Sequence, residues 1–364
     1  MLKFLNLKPE IFAVDINDLA LRVVKLKKKR KGFRLVSFKE VEIKTGIVKE
    51  GVIQDKEALA KIIKSATSTV VGEKLNTKYV IISLPEEKSF SQVIRMPNMT
   101  DEELVSAVPF EAENYIPLTI DKVYLDFQTI NPHKNGLDHL DLLINVMPKP
   151  IVDSYVSSFK IAGLVPCILE IESHAIVRAL VKNQENTLPT IFIDFGQTKT
   201  SFIIFSGNYI RFTSSITISS QQLTNTISND LGISFKAAEE LKTKYGLTKS
   251  VEKKYSIADI INPILHDLVV QIKKYISFYQ GHGSHEYFSS DSKIQKIILC
   301  GGGSNLKGLP NFLAEELKIS VEIGNPLINI LPQKRSAPQI ISQQKALSFT
   351  TVLGLALRGA SEEI

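Results

Sequence analysis

The residues whose types and spacing best suit chemistry are Asp194-Phe195-Gly196-Gln197-Thr198-Lys199-Thr200, set between two apolar runs at 191–193 and 201–205. A carboxylate at the end of a buried strand, a glycine-led turn rich in hydroxyl and amide groups, and an antiparallel return strand together make a cradle for a phosphate chain. Glycine lets the backbone approach the oxygens, free N–H groups and Thr hydroxyls donate to them, and the Asp can hold a hydrated Mg²⁺. An ordinary hairpin turn has the same grammar, so the motif gains its weight from two others. Residues 11–16 read as a second buried strand carrying Asp15 near its end, followed by a turn at Asn17-Asp18 and a further strand at 19–26. A strand at 296–300 leads straight into Gly301-Gly302-Gly303-Ser304, where bare backbone lets a base or ribose lie flat. If the two acidic turns face each other, Asp15 and Asp194 flank one Mg²⁺-phosphate group.

For these loops to meet, the chain must form two similar α/β lobes. The first is read as strands at 11–16, 19–26, 33–43 and 79–85 with an amphipathic helix at 56–71, completed by a strand at 164–171 and a helix beginning at Glu172. Between them, residues 86–163 read as an inserted α+β subdomain. Its Thr100 and Glu103 form a capping box ahead of a helix, and a Gly/Asn-rich turn at 131–136 joins two strands. It carries no catalytic constellation, so it is read as an interaction module. The second lobe repeats strand-Asp-turn-strand at 189–220, inserts helices at 221–231, 237–244 and 257–279, and resumes at 294 with the strand before the glycine cluster. The expected division is 1–85 with 164–188 for the first lobe core, 86–163 for the insert, 189–220 with 294–364 for the second lobe core, and 221–293 for the helical subdomain.

Composition sets the class. With 364 residues, 44% hydrophobic and 23% charged, the chain is an ordinary globular protein rather than a disordered or fibrous one. Cys167 and Cys300 each sit in an apolar run with no Cys-x-x-Cys pair, so neither a zinc site nor a disulfide framework is indicated. No apolar run approaches the roughly 20 residues that span a bilayer. The first residues, broken by Lys3 and Lys8, do not resemble a signal peptide. A cytoplasmic chain, peripheral to a membrane through partners, is the expectation. Much of the net charge of +6 sits in the run from Lys25 to Lys31, read as a solvated hairpin turn or, second, a contact with anionic lipid. Nucleic acid is the weaker partner, since no recognition pattern accompanies the charge.

Taken together, these loops and insertions resemble the actin-like ATPase superfamily. Asp15 falls in its first phosphate motif, residues 194–200 in its second, and Gly301-Gly302-Gly303-Ser304 in its adenosine motif. Ala238-Glu239-Glu240-Leu241-Lys242 is similar to the run whose Glu and Lys contact ribose and adenine in the FtsA branch. Within that branch the chain resembles the PilM family of type IV pilus assembly proteins. The likeness runs through Arg95-Met96-Pro97, residues 109–117, Glu170-Ile171-Glu172-Ser173 and residues 351–359. It implies an α/β actin-like ATPase fold, two lobes around a nucleotide cleft. ATP or ADP with Mg²⁺ would be held by Asp15, Asn17, Asp194, Gly196, Gln197, Thr198 and Lys199, with Glu239, Lys242, Gly301, Gly302, Gly303 and Ser304 around the adenosine. Asp15 and Asp194 would reach the Mg²⁺ through water. The implied partner is the cytoplasmic N-terminal tail of a PilN-like inner-membrane protein, in a groove by the inserted subdomain for which residues 96–117 are the best region. Other cytoplasmic pilus components and a second copy of the chain are further candidate partners.

One departure bears on activity. The family's first phosphate loop reads Asp-x-Gly-Ser/Thr, whereas here it is Asp15-Ile16-Asn17-Asp18. Asn17 adds a side chain where backbone should meet phosphate, and Asp18 brings a second negative charge toward the γ-phosphate unless Mg²⁺ or Lys199 offsets it. Slow or absent hydrolysis is therefore expected, at most a slow ATPase. Two alternatives stand beside this: an FtsA-like membrane-associated filament former, and an actin-fold small-molecule kinase. A kinase needs a base, for which Glu172 is the nearest candidate, although an acid at a helix start is also a plain dipole partner. Lys199 either reaches a phosphate or caps its hairpin. His282-Gly283-Ser284-His285 is read as an exposed loop rather than a metal site, and His174 as a packing residue.

Overall fold

The computed structural model describes residues 9–130, 139–182, 188–248, 256–282, 293–331 and 341–361. The turn expected at 131–136 lies outside them, as do Gly283, Ser284 and His285. The first acidic strand, β1 (Phe12–Ile16), is buried along its whole length because it is central, with β2 (Ala20–Lys29) antiparallel on one side. β3 (Gly32–Glu42) extends the meander, and a small hairpin of β4 (Val48–Lys49) and β5 (Val52–Ile53) leads to α1 (Lys56–Ser68). That helix begins where Asp55 accepts the Ala58 amide at 2.8 Å, and Leu59, Ala60, Ile63 and Ala66 form its buried stripe. After β6 (Val71–Gly72), β7 (Tyr79–Leu84) pairs parallel with β1 on its other side.

A short 3₁₀ turn (Glu86–Lys88) leads into the insert: β8 (Phe90–Pro97), α2 (Asp101–Ala112), β9 (Val123–Thr129) and β10 (His139–Pro148). The capping box is present, with the Thr100 amide donating to Glu103 at 2.7 Å and the Glu103 amide donating to Thr100 at 3.3 Å. The three strands form their own sheet in the order β8-β10-β9, on which α2 buries Leu104, Val108 and Ala112. The next helix, α3 (Lys149–Ile161), falls inside the 86–163 stretch, yet its Val152, Tyr155 and Phe159 pack into the first lobe's core with Phe12, Leu59 and Ile63. β11 (Val165–Ile171) then joins the first sheet and runs without a break into α4 (Glu172–Leu180).

The second lobe consists of β12 (Thr190–Phe195), β13 (Thr200–Ser206), β14 (Tyr209–Ile216), α5 (Ser220–Leu231), α6 (Phe235–Tyr245), α7 (Ile257–His282), β15 (Lys296–Cys300), α8 (Leu309–Leu317) and β16 (Ser320–Ile323), followed by α9 (Gln343–Ser348) and α10 (Thr350–Ser361). Its sheet order is β14-β13-β12-β15-β16. The first sheet, β6-β3-β2-β1-β7-β11, repeats that order strand for strand from β3 to β11, so the shared sequence grammar reflects a shared topology. In both, the acid-bearing strand is central, antiparallel to the next strand and parallel to a later one. α7 lies directly on the second sheet, with Ile261, Leu268 and Ile272 in one core with Ile193 and Phe202.

The lobes exchange helices. α4 leaves the first sheet and sets Ile176, Val177 and Leu180 against Phe192, Ile203 and Ile298 of the second. Conversely α10, placed by the sequence reading with the second lobe, buries Val352, Leu353 and Ala356 among Ala13, Val24 and Ile81 of the first. The two helices touch at Gly354, where a Cβ would sit 1.8 Å from the Ala175 carbonyl oxygen. Of the basic run, Lys25 is buried on Glu10 and Lys27 pairs with Glu73, while Lys28, Lys29, Arg30 and Lys31 form the exposed tip of the β2–β3 hairpin. Cys167 and Cys300 are free thiols. Among the described residues, no helix is long and apolar enough to cross a membrane.

Candidate functional site

A cleft of about 360 Å³ opens between the lobes, and twelve of the thirteen residues read from the sequence line it: Asp15, Asn17, Asp194, Gly196, Gln197, Thr198, Lys199, Glu239, Lys242, Gly301, Gly302 and Gly303. Ser304 does not. Its hydroxyl turns inward and donates to the Cys300 carbonyl, holding the short 3₁₀ turn that follows β15. The topology explains the convergence, since β1 and β12 are the central strands of the two sheets and their acidic ends meet the same opening.

The glycines answer first to the protein itself. Gly301 has φ of 80°, and a Cβ there would meet Asp194 Oδ1 at 2.1 Å and the Phe195 carbonyl oxygen at 2.6 Å. A Cβ on Gly303 would likewise meet that oxygen at 2.7 Å, whereas on Gly302 the nearest atom is Ser348 Cβ at 3.6 Å. The β15 loop is thus seated on the β12 acid, and Gly302 is the position with room above it. Gly196 closes the β12–β13 turn by donating its amide to the Lys199 carbonyl at 2.9 Å, and its own carbonyl accepts the Ser220 amide at 3.0 Å, fixing the turn to the start of α5.

The first loop differs from expectation. Asn17 bends back on its own turn, its Oδ1 accepting the Leu19 and Ala20 amides at 3.1 and 2.8 Å, and it does not adopt a left-handed φ. Asp18 points out of the cleft and accepts the Glu50 and Gly51 amides at 2.9 and 3.0 Å, capping the β4–β5 hairpin. The extra negative charge expected beside the γ-phosphate is therefore spent elsewhere.

Charge in the cleft is unbalanced. Asp15, buried, accepts the Ser83 hydroxyl at 2.8 Å and lies 3.6 Å from Arg22 Nη1. Asp194 receives no hydrogen bond or ion pair from a described residue, and its carboxyl is pushed up to about 6 by burial, with Asp15 adding and Lys199 and Arg22 opposing. Lys199 bridges the lobes, donating to Glu87 and, at 2.7 Å, to Glu172 Oε2. Burial pulls its ammonium group down, but these two carboxylates outweigh that and hold it well above the usual lysine range. Glu172 is raised by burial and by its acidic neighbours Glu87 and Asp15. Along the cleft wall four carboxylates, Asp15, Glu172, Asp194 and Glu239, face three cations, Arg22, Lys199 and Lys242, an acidic excess centred on Asp15 and Asp194 that suits a divalent cation. Among the described residues no three His, Cys, Asp or Glu converge as a metal cage, so a Mg²⁺ here would rest on Asp15 and Asp194 and complete its shell with water and phosphate oxygens.

The opposite wall suits a nucleoside. Lys242, 5% exposed, donates to the Ser220 hydroxyl and Thr224 Oγ1, each at 2.7 Å, and pairs with Glu239 at 2.8 Å. Burial lowers its pKa despite that pair. Phe235, 42% exposed, lines the same wall and adds an aromatic side chain to it. The sequence reading missed it, although 235, 239 and 242 share one face of α6 at helical spacing. It also missed Arg22, whose signal was its register opposite Asp15 across the β1–β2 pair, and Glu87, which has no sequence signal at all.

Comparison with known proteins shows the family and the fold. The family described as "Type IV pilus assembly protein PilM" matches residues 13–360. Among solved structures, a chain of a PilM-PilN type IV pilus biogenesis complex superimposes with a TM-score of 0.82 at 25% identity, covering 98% of this chain and 100% of that one. MreB5 of Spiroplasma citri bound to ADP gives a TM-score of 0.54 at 13% identity over 95% and 94% of the two chains, a likeness of fold alone. Cell division protein FtsA of Buchnera aphidicola subsp. Baizongia pistaciae is 24% identical over 200 residues, 50% of this chain and 47% of that protein, so the chain matches about half the length of this relative. On the match across residues 13–360, this chain belongs to the PilM family of type IV pilus assembly proteins, built on the actin-like fold.

Proposed function

We propose that the chain is a cytoplasmic scaffold of type IV pilus assembly that holds ATP or ADP with Mg²⁺ between its lobes and takes the cytoplasmic N-terminal tail of a PilN-like inner-membrane protein. The observation that carries the nucleotide part is the convergence of two acid-ended hairpins and the Gly301-Gly302-Gly303 loop on one cleft whose lining carboxylates outnumber its cations. A bound Mg²⁺ would neutralise the phosphate oxygens. Asp15 and Asp194 would orient its waters, the turn at 196–198 would border the phosphates, and Glu239, Lys242 and Phe235 would flank the adenosine over Gly302.

Slow or absent hydrolysis follows from the state of Glu172. Its Oε2 accepts from Lys199 and from the Glu86 amide at 3.2 Å, and the Glu86 tie does not depend on Lys199, so that oxygen stays engaged and is a poor base toward an attacking water or a substrate hydroxyl. The same restraint removes the base that a kinase would need.

The tail reading draws on the complex seen for the PilM–PilN relative and on the surface of the insert. α2 exposes Val105 and Phe110, and the exposed Tyr115 and Leu118 follow, four apolar side chains open to a partner within and next to the expected 96–117 region. Calorimetric titration with ADP or ATP and Mg²⁺ tests the cleft: binding by wild type and loss of it in Asp194→Asn is expected, and equal binding by the two would remove the assigned site. Unchanged melting with a saturating PilN-like tail peptide would remove the partner assignment.

A further inference from the structure

Lys199 stands on the β12–β13 turn of the second lobe, but both of its acceptors belong to the first. Glu87 lies in the 3₁₀ turn Glu86–Lys88, and Glu172 opens α4. The side chains are 16%, 19% and 6% exposed, so water screens this bridge little. On the first-lobe side the bridge is tied twice more. The Glu86 amide donates to Glu172 Oε2 at 3.2 Å, and the Ser173 amide donates to Glu86 Oε2 at 3.2 Å. The tied turn is also the connector to the insert, because β8 begins at Phe90.

A cation this enclosed leaves its carboxylates readily only for another anion, since breaking a buried pair without replacement is strongly unfavourable. Lys199 shares its turn with Gly196, Gln197 and Thr198, all on the cleft wall beside Asp194. The γ-phosphate of a nucleoside triphosphate seated there would be such an anion. A nucleoside diphosphate lacks that third phosphate.

We propose that Lys199 is a partner-exchanging latch: it ties the second lobe to the connector of the inserted subdomain through Glu87 and Glu172, and the γ-phosphate of a nucleoside triphosphate takes it over and loosens the connector. The latch rests on the nucleotide reading above and gives that site a means of reporting its contents to the subdomain read as the partner-binding unit. Coupling runs through one ion-paired bridge with two discrete arrangements, each favoured by a different ligand.

The test is amide hydrogen exchange at residues 86–89 of the full chain, loaded with Mg²⁺ and either ADP or a non-hydrolysable ATP analogue. The turn is closed by the Lys88 amide on the Pro85 carbonyl at 3.2 Å and the Ser89 amide on the Glu86 carbonyl at 3.0 Å, so its opening is read directly. Exchange there is expected to be about tenfold faster with the analogue than with ADP, within the usual range of allosteric coupling. Lys199→Gln strands two carboxylates and is expected to fold poorly, so Glu87→Gln carries the comparison. With the Glu87 arm of the bridge weakened and the Glu172 arm left, that variant should exchange faster than wild type with ADP and show a smaller difference between the two nucleotides. Equal exchange in wild type with both nucleotides bound overturns the latch and leaves the nucleotide reading standing, whereas failure of wild type to bind either nucleotide overturns both. A nucleotide-dependent difference that persists unchanged in Glu87→Gln overturns the assignment to this bridge.

Discussion

Replacing Asp194 with Asn is expected to make the ligand-free chain more stable while removing its hold on Mg²⁺-nucleotide. The side chain is half-buried at the end of β12, its carboxyl raised from 3.8 to about 6, chiefly by burial. Because the folded value lies above the unfolded one, the fold favours the protonated acid. The ionised form therefore carries no penalty below about pH 4, a growing one as pH rises through the window, and the full one above about pH 6. A rise from 3.8 to about 6 corresponds to about 3 kcal/mol, an upper bound because water still reaches part of the group. Asn has nearly the same shape and no charge. Urea denaturation should therefore give near-equal stabilities at pH 4 and a variant more stable by up to about 3 kcal/mol at pH 7. Saturating Mg²⁺-ADP should close most of that gap, since ligand at a hundredfold its Kd stabilises wild type by about 2.7 kcal/mol and the variant hardly at all. An Asn variant less stable than wild type at pH 7, or a gap that does not widen between pH 4 and 6, would show that Asp194 is not an uncompensated buried charge.

The glycine loop separates packing from binding. Gly301→Ala forces a side chain into a left-handed position against Asp194 and Phe195 and should cost roughly 2–4 kcal/mol by chemical denaturation, while Gly302→Ala should stay within about 0.5 kcal/mol yet weaken nucleotide binding. Equal stability losses at the two positions would contradict the seating of this loop on β12. Glu170, buried, accepts from Nη1 and Nη2 of Arg178 at 2.7 and 2.6 Å and from Arg358 at 3.0 Å; burial raises its pKa but these partners outweigh it and lower it. Its contribution is complete above the ordinary carboxylate value and is lost as pH falls through the lowered one, so Glu170→Gln should cost about 3 kcal/mol at pH 7 and progressively less in acid. Phe110→Ser, at a side chain 79% exposed on α2, should leave the melting temperature unchanged and weaken a PilN-like tail peptide about tenfold in a calorimetric titration.

By itself the sequence determined the two acid-ended hairpins, the glycine loop and the capped helices. Each of these is written in neighbouring residues: an apolar run sets a buried strand, a terminal Asp and Gly set its turn, and Thr100 with Glu103 sets a helix start. It also carried the repeat of one topology in both lobes, because the same local grammar builds β1–β2 and β12–β13. What an isolated loop cannot state is where its side chains find partners. Asp18 looked like a charge aimed at phosphate until the β4–β5 hairpin offered two amides, and Ser304 like a ligand until its own carbonyl neighbour accepted its proton. α10 follows the second lobe in the chain but buries its apolar face on the first, since hydrophobic surface is covered by whatever sheet lies within reach rather than by the nearest in sequence. The bridge from Lys199 to Glu87 and Glu172 spans 112 and 27 residues of sequence, with no spacing rule to announce it. Only the packing of the two lobes against α4 and α10 brings those charges together, and that packing decides how tightly the cleft is held.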